Sequence, residues 1–307
     1  MRISGFLAVV FALALLLPAR AGEVLRPYLL ARREGLEIST LPVLELCRTT
    51  SQADLPAAVL AALDQALTAD TRLVVLSHLL WNTGCVMPIT AVAERLTAHS
   101  RRPWLLVDAA QSMGSIPAEE AAAAADIYAF TGHKWCCGPE GLGGVALSDR
   151  VLEQSQPTLI GWRSLRHEGS SGSPWHADAR RFEVATSCVP LCSGLATSLD
   201  LLASEGSPAQ RLERIRAGSQ RLWQGLRQLT GVQTLLPEPP PAGLVSFTLP
   251  ASATGGHAGV VKALGAQGFW IRNLEDPDCL RACTHITTTT AEIDRLLEAL
   301  SVLPTAD

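Results

Sequence analysis

Short apolar runs and amphipathic stretches alternate along the first half of the chain. Short apolar runs are typical of buried strands, whereas apolar positions spaced three and four apart are typical of helices. By this criterion the sequence predicts strands at 37–44, 71–78, 105–107, 127–130 and 145–147, and helices at 55–67, 89–100 and 117–125. This order of elements predicts a doubly wound α/β domain with a mostly parallel sheet.

The pattern changes from about residue 199. A long arginine-rich amphipathic helix is predicted at 211–229, and a proline-rich break follows at 237–241. Beyond the break, the pattern predicts strands at 244–248 and 269–272 and helices at 257–268 and 290–300. We therefore expect a small α+β domain at 199–307 and a large domain at 23–198, preceded by a separate segment at 1–22.

Chemically useful side chains directly follow two of the predicted strands. Asp108 follows the run at 105–107, with Gln111 three residues on, and Lys134 follows the run at 127–130 within the tetrapeptide TGHK. In open α/β sheets, ligands bind beyond the carboxyl ends of strands. Lysine forms Schiff bases and arginine does not, and the chain has only two lysines, so Lys134 is a candidate for covalent chemistry. The alternatives are a helix N-cap for Asp108 and an ordinary surface loop around Lys134.

Six segments of the sequence together resemble one enzyme superfamily. They are SHLLWNTG, LLVDAAQSMG, YAFTGHKWCCGPEGLGG, GWRSL, RRFEVATS and IRNLEDPDCLRACTHIT. These segments are similar to the class V aminotransferases, pyridoxal-phosphate (PLP) enzymes of fold type I that include the cysteine desulfurases, and most closely to the cyanobacterial L-cysteine/L-cystine C–S lyases. The resemblance runs from about residue 36 to the C-terminus. It implies the PLP-dependent transferase fold, with a large cofactor-binding domain and a small C-terminal domain.

The resemblance also implies a cofactor site. Lys134 would form the Schiff base with PLP, and Asp108 would pair with the pyridinium nitrogen, so that the ring can accept electrons. Gln111 would hydrogen-bond the ring hydroxyl, and Thr131 and His133 would contact the phosphate. A phosphate dianion is well served by hydroxyls and by N–H donors.

A homodimer and a substrate pocket are implied in the same way. Thr186 would reach the phosphate in the neighbouring subunit, and Trp162 would line the partner's substrate pocket. Arg281 would clamp the α-carboxylate of an amino acid, Asn82 would contact that carboxylate or the cofactor, and Arg272 would hold the far end of cystine. The alternatives are a turn asparagine at position 82, packing beneath a loop for the tryptophan, and surface charge for both arginines.

The cysteine positions bear on the type of reaction. One desulfurase branch of the superfamily has a nucleophilic cysteine five residues after the clamp arginine; that position is Ile286 here, and Cys283 does not match it. We therefore rank β-elimination from cystine or cysteine above desulfurase or aminotransferase activity, with a truncated non-catalytic remnant as the third alternative. No cysteine spacing matches a zinc or iron–sulfur site, so we expect no metal and favour buried free thiols for the eight cysteines. Disulfides are the alternative if the chain is exported.

The N-terminal segment at 1–22 has the layout of a secretory signal peptide, with Arg2, an apolar run at 6–17 and an Ala-Arg-Ala end at 19–21. The run is short for a membrane span. The remainder resembles a cytoplasmic enzyme whose phosphate loop and ring-stacking histidine ought to precede residue 36, and neither is found there. We favour a displaced, replaced or truncated N-terminus, and hence a missing part of the fold, over export. A net charge of −4 gives no electrostatic case for nucleic-acid binding.

Overall fold

The computed structural model describes residues 35–167, 174–250 and 255–302. The signal-like segment lies outside these ranges. The prediction of a strand at 37–44 is wrong: residues 36–42 are irregular, and helix α1 (Val43–Thr49) follows Pro42. The apolar side chains of Val43, Leu46 and Cys47 have helical spacing and pack into the core, which explains why this stretch is a helix.

The first sheet has four strands in the order β1-β2-β3-β4. Their bounds are Leu73–Ser77, Trp104–Asp108, Ile127–Thr131 and Gly143–Leu147. β1, β2 and β3 are parallel, and β4 runs antiparallel to β3. Ser77 lies beside Asp108 and Asp108 beside Ala129, so the carboxyl ends of the parallel strands meet at one edge. The sheet confirms the predicted α/β class with a mostly parallel sheet.

Three helices lie where helices were predicted, one before β1 and one after each of β1 and β2. They are α2 (Leu55–Ala66), α3 (Ile89–Ala98) and α4 (Glu119–Ala124). In α2 the residues that recur every fourth position, Leu55, Val59 and Leu63, are all buried in the main core. The apolar faces of these helices therefore pack on the sheet and cover it.

The chain between the two sheets is mainly helical. It contains α5 (Asp149–Gln154), short 3₁₀ turns at Trp162–Ser164 and Ala179–Phe182, and the long helices α6 (Val189–Ser204) and α7 (Pro208–Leu226). The start of α7 is stabilised by a capping box between Ser207 and Gln210. Helix α6 runs through the domain boundary expected at 198/199, and the position of that boundary stays a prediction.

The second sheet is antiparallel, with the order β5-β6-β8-β7. Its strands are Gln233–Thr234 (β5), Leu244–Thr248 (β6), Arg272–Glu275 (β7) and Asp278–Cys283 (β8), and its helices are α8 (Gly256–Ala266) and α9 (Thr290–Ser301). The strand predicted at 269–272 begins only at Arg272. The reason is that the Phe269 N–H bonds the Leu264 carbonyl and closes the end of α8, after Gly268 has turned the chain with a φ of 87°. Within the described ranges, no helix has the length and apolar character that a bilayer crossing requires.

A small apolar cluster joins the two sheets. It contains Leu79 from the loop after β1, Trp135 from the residue after Lys134, Ile215 from α7 and Leu244 from β6, all of them buried. The loops that follow β1 and β3 are therefore packed against the second sheet.

Candidate active site

Asp108 ends β2 with its carboxylate exposed to solvent. One carboxylate oxygen, Oδ1, accepts the backbone N–H of Ala110 at 2.9 Å, which fixes the side chain in a local turn. No helix begins at this point, since α4 starts only at Glu119. The N-cap alternative is therefore wrong, and the carboxylate lies at the sheet edge where ligands of α/β domains bind.

Lys134 lies in a tight loop that begins where β3 ends. The Gly132 N–H bonds the Leu142 carbonyl and the Gly138 N–H bonds the Gly132 carbonyl, both at 2.8 Å, so the two arms of the loop are tied together. A Cβ on Gly138 would lie 2.6 Å from the Leu195 side chain of α6, and a Cβ on Gly132 would lie 3.1 Å from it. Lys134 itself is half-buried. The loop is thus a packed part of the fold and not a loose surface excursion.

Gln111 and the lysine loop are joined directly. The indole N–H of Trp135 donates to Oε1 of Gln111 at 2.9 Å. A Cβ on Gly114 would lie 2.7 Å from the Trp135 backbone, so the two loops touch at a position that only glycine permits. The structure therefore brings Asp108, Gln111 and Lys134 to one edge of the first sheet.

Thr131 supplies a buried polar atom at the same edge. Its hydroxyl is buried and has no hydrogen-bond partner among the described residues. An orphaned buried hydroxyl costs free energy unless a ligand or water satisfies it. His133, two residues on, is exposed. Both residues stand where a bound anion would find donors.

Arg281 projects from β8 toward the loop that follows β1. Its Nη1 donates to the Trp81 carbonyl at 2.7 Å, while its Nε is buried without a partner in the described part of the chain. Arg272 of β7 lies directly across the sheet from it. Burial above all, with a smaller contribution from Arg272, lowers the pKa of the Arg281 guanidinium. Among the described residues, neither arginine forms a salt bridge with a carboxylate, so the two form a cationic pair that can receive an anion.

The loop at 79–86 connects this pair to the rest of the site. Its Asn82 carbonyl accepts the hydroxyl of Ser246 from β6 at 2.6 Å, one residue after the Trp81 carbonyl that holds Arg281. A Cβ on Gly84 would overlap the Leu244 carbonyl oxygen. The structure therefore places Asn82 and Arg281 on adjoining segments, as the predicted substrate site requires.

Trp162 and Thr186 lie on neighbouring segments of the surface. The Ser164 hydroxyl donates to the Glu183 carbonyl at 2.6 Å and ties the two segments together. Trp162 is 57% exposed, so the alternative that it packs beneath a loop is wrong. Thr186 is exposed as well. Their roles toward a partner subunit stay predictions.

One polar group at the site was missed by sequence reasoning. Nδ1 of His78, directly after β1, lies 2.9 Å from the Tyr128 hydroxyl, which lies 2.9 Å from the Ser112 hydroxyl. All three side chains are buried, and burial lowers the pKa of His78 to about 4. A histidine directly after a buried strand was the available signal, yet its partners become visible only when β1, β2 and β3 are side by side.

All eight cysteines are free thiols. The prediction that they are buried is confirmed for Cys47, Cys85, Cys136 and Cys279 and is wrong for Cys137, Cys188, Cys192 and Cys283. Two of the exposed thiols belong to the start of α6, whose first turn is open to solvent. In the described ranges, no three His, Cys, Asp or Glu side chains are grouped so that they could hold a metal ion.

The aminotransferase class-V family matches residues 24–296 of the chain. The chain belongs to this family. It is 32% identical to isopenicillin N epimerase of Streptomyces clavuligerus over 296 residues, which cover 89% of the chain and 69% of the epimerase. It is also 32% identical to a probable cysteine desulfurase of Pseudomonas aeruginosa over 244 residues, 75% of the chain and 58% of that protein.

Solved structures give the same result. The cystine C–S lyase C-DES in complex with its reaction product cysteine persulfide is 38% identical, with a TM-score of 0.82 over 93% of this chain and 73% of C-DES. A C-DES mutant with glycine covalently linked to the PLP cofactor has a TM-score of 0.83 at the same identity and coverage. The chain is therefore a PLP-dependent enzyme of the class V family with the fold that the sequence predicted.

The residues at the sheet edge fit this cofactor. PLP requires an amine for covalent attachment, an anion for its ring nitrogen and donors for its phosphate. Lys134 and Asp108 could supply the amine and the anion, and the Thr131 hydroxyl, buried without a partner among the described residues, could donate to the phosphate. The phosphate loop and ring-stacking histidine expected before residue 36 correspond to a region that lies almost wholly outside the described residues.

Proposed function

We propose that this chain is a C–S lyase that catalyses β-elimination from cystine and cysteine. The products are pyruvate and ammonia, with cysteine persulfide from cystine and sulfide from cysteine. The observation that carries this proposal is the cationic pair of Arg272 and Arg281, held side by side on β7 and β8 next to the loop of Asn82. A substrate with one carboxylate at each end, as in cystine, offers an anion to each arginine. The 38% identity to the cystine C–S lyase C-DES supports the same substrate class.

In this proposal Arg281 binds the α-carboxylate of the reacting half of the substrate. Its contact with the Trp81 carbonyl holds the planar fork in place, and its buried Nε gains the partner that it lacks among the described residues. A bidentate arginine–carboxylate pair fixes orientation as well as charge. Arg272, which is more exposed, receives the carboxylate of the far half.

Lys134 acts as the base in the proposed mechanism. PLP, when bound, supplies an electron sink for the carbanion character that develops at the substrate Cα. With PLP bound, the Asp108 carboxylate would keep the ring nitrogen protonated, Gln111 would orient the ring hydroxyl, and Thr131 and His133 would hold the phosphate. Lys134 removes the Cα proton through Nζ, and the β-sulfur then leaves with its bonding electron pair.

The fate of the sulfur follows from the residue that replaces the desulfurase cysteine. Ile286 packs against the cluster of Leu79 and Ile215 and has no nucleophilic atom. Sulfur is therefore released from the site as product and is not passed to a protein thiol at this position. For cystine the balance is cystine plus water giving pyruvate, ammonia and cysteine persulfide.

We further propose that the enzyme acts as a homodimer. Of the ten large hydrophobic side chains that are exposed in the described residues, seven lie between positions 159 and 201. They are Leu159, Ile160, Trp162, Val184, Val189, Leu199 and Leu201. Concentrated exposed apolar surface is typical of an interface. Thr186, which the family resemblance directs toward the partner's phosphate, lies within the same span.

Product analysis tests the proposed reaction. The full chain supplied with PLP is given cystine or cysteine, and pyruvate and alanine are quantified. A lyase gives pyruvate from cystine and little alanine from cysteine. Stoichiometric alanine that disappears when Cys283 or another single cysteine is replaced would instead establish a desulfurase. Absence of both cofactor binding and product would establish the non-catalytic remnant.

Variants of the two arginines test the substrate assignment. We expect Arg281→Lys to lower turnover of both substrates by about a hundredfold, because a point charge cannot replace a bidentate fork. We expect Arg272→Ala to raise the KM for cystine about tenfold and to change the KM for cysteine less than about twofold, since cysteine has no second carboxylate. Arg216→Ala, at an exposed arginine of α7, is the matched control. Equal effects of Arg272→Ala on both substrates would refute the assignment of this residue to the far carboxylate.

A further inference from the structure

A buried hydrogen-bonded chain lies between the two halves of the site. It runs from Nδ1 of His78 to the Tyr128 hydroxyl at 2.9 Å, and from there to the Ser112 hydroxyl at 2.9 Å. The three side chains are 6%, 2% and 0% exposed, so no surface role accounts for these polar groups. Each residue comes from a different segment: His78 directly follows β1, Tyr128 is the second residue of β3, and Ser112 lies in the turn after β2.

The direction of the chain follows from its last acceptor. The Ser112 hydroxyl lies 3.3 Å from the Ala109 carbonyl, which can only accept. Ser112 therefore donates to Ala109, Tyr128 donates to Ser112, and His78 donates to Tyr128 through a protonated Nδ1. His78 is neutral in this arrangement, in agreement with its lowered pKa. Every hydroxyl has one acceptor and one donor, so the chain is fully satisfied only while all three residues are present.

At its serine end, the chain secures the turn that carries Asp108. Ser112 closes this turn through its backbone as well, since its N–H bonds the Ala109 carbonyl at 3.2 Å. The Ala109 N–H in turn bonds the Ala129 carbonyl of β3, the residue after Tyr128. The turn that begins with Asp108 is thus fixed to β3 by a backbone bond and by the Tyr128 side chain.

At its histidine end, the chain secures the loop that carries Asn82. The His78 N–H bonds the Asp108 carbonyl at 2.9 Å, and its carbonyl accepts the Met87 N–H at 2.8 Å, so His78 closes the base of the loop at 79–86. The same loop presents the Trp81 carbonyl to Arg281. One buried hydroxyl therefore connects the cofactor side of the site with the substrate side.

We propose that Tyr128 is a positioning residue, which holds the Asp108 carboxylate in register with the pyridine ring of PLP through Ser112. In this proposal Tyr128 does not contact the reacting atoms. It sets the geometry of the turn that carries Asp108. The inference rests on the family cofactor and on the place of Asp108, and it holds for any class V reaction, so it does not depend on the lyase activity.

The first experiment measures PLP affinity and the stability of the cofactor-free chain. Tyr128→Phe removes only the hydroxyl and keeps the ring that fills the core, and Ser112→Ala removes the next link. We expect each to weaken PLP binding about tenfold, the usual effect of losing a group that orients a ligand-binding side chain. Ser219→Ala is the matched control, because Ser219 is also fully buried and its hydroxyl donates to the Arg216 carbonyl within α7. It is expected to change PLP affinity less than about twofold, whatever it does to stability.

The decisive experiment is a double-mutant cycle between Tyr128→Phe and Asp108→Asn, again read out as PLP affinity. If Tyr128 acts through Asp108, Tyr128→Phe has less than about a twofold effect when Asp108→Asn is already present. Multiplicative effects of the two substitutions would overturn the proposal. An Asp108→Asn variant with unchanged PLP affinity would overturn the assignment of Asp108 itself, and the positioning role with it.

Amide hydrogen exchange of the cofactor-free chain gives a readout that does not need PLP. We expect Tyr128→Phe to speed exchange at the backbone N–H groups of Ser112, His78 and Met87, and to leave exchange in α9 unchanged. Faster exchange throughout the chain, without a local difference at these amides, would show a general loss of stability and would contradict the positioning role.

Discussion

At the scale of single residues, Lys134 is the side chain on which the cofactor chemistry depends. The chain provides an internal control, because Lys262, the only other lysine, is exposed on α8. We expect borohydride reduction in the presence of PLP to fix the cofactor to Lys134, as mapped by mass spectrometry of peptides. Lys134→Arg should abolish this labelling and lower turnover by about 10²–10⁴-fold, the usual contribution of a general base.

Lys262→Arg should leave both the labelling and the turnover unchanged. Cofactor attached mainly to Lys262 in the unmodified chain would show that the loop after β3 is not the attachment site, and that the family pattern has been carried over to the wrong residue.

His78 predicts a particular dependence of stability on pH. Its pKa in the fold is about 4, below the usual value of 6.5, because burial disfavours the imidazolium. The unfolded chain therefore binds more protons between these values, and the stability that comes from neutral His78 is complete above pH 6.5 and declines as the pH falls toward 4. The full loss amounts to about 3 kcal/mol.

Denaturant unfolding of the cofactor-free chain at several pH values between 4 and 7 measures this effect. His78→Asn keeps a donor near the Tyr128 hydroxyl but cannot titrate, so its stability should fall less steeply in that window. His99→Asn, at the end of α3, serves as the control and should retain the slope of the unmodified chain. Identical slopes for all three proteins would contradict the shift at His78.

Residue-level chemistry was predictable from sequence only where it follows a strand directly. Asp108 and Lys134 end or follow short apolar runs, and the topology of α/β sheets brings such positions together. The contact of Trp135 with Gln111 and the contact of His78 with Tyr128 join residues 24 and 50 positions apart. No local pattern specifies which partners meet at those separations, because they depend on the strand order in three dimensions.

At the scale of elements, the loop after β1 has a close steric fit to the second sheet. Gly84 has a φ of 82°, and a Cβ there would overlap the Leu244 carbonyl, whereas Gly268 has a φ of 87° with open space around it. Gly268→Ala should thus cost about 1 kcal/mol of unfolding free energy from backbone strain, and Gly84→Ala at least about 3 kcal/mol because strain and overlap add.

Chemical denaturation of the two variants separates these contributions. Gly84→Ala should also raise the KM for amino-acid substrate, since it displaces the loop that orients Arg281, whereas Gly268→Ala should leave KM unchanged. Equal destabilisation by the two substitutions would mean that the loop and β6 can move apart without cost.

Element types were predictable from periodicity more reliably than element ends. The strands of the first sheet were recognisable as short apolar runs, and the helices α2, α3 and α9 because each buries one regular set of apolar positions. The two errors have different causes. At 37–44 the apolar residues include the start of helix α1, and at 269–272 Phe269 closes the end of helix α8. Phe269 is apolar because it packs beneath α8 and the second sheet, and this packing does not require a strand.

At the scale of the whole molecule, the proposed dimer can be tested by sedimentation equilibrium. We expect the unmodified chain to sediment at twice its own mass. Ile160→Glu and Leu201→Glu, at positions that are 56% and 64% exposed within the apolar span, should shift it toward the monomer. Trp270→Glu, at a residue that is 86% exposed on the second sheet side, is the control and should remain dimeric.

A monomeric unmodified chain, or dimers for all three variants, would contradict the proposed interface. Loss of PLP binding in the monomeric variants would add support for Thr186, because that residue is expected to serve the phosphate of the opposite subunit.

The loop at 79–86 follows a strand of the first sheet in the chain, but it contacts strands of the second sheet. Ser246 and Arg281 hold its carbonyls, and Leu244 leaves room there only for a glycine. Because both sheets fix this loop, substitutions in one sheet are constrained by the residues of the other. Among homologues, position 84 should stay glycine whatever residue stands at 244, because the overlap is with the backbone carbonyl of 244. Positions 246 and 281 should keep a hydrogen-bond donor, because they bond the backbone carbonyls of 82 and 81. Chimeras that combine the first sheet of one relative with the second sheet of another should recover function only when this loop is transferred with the second sheet.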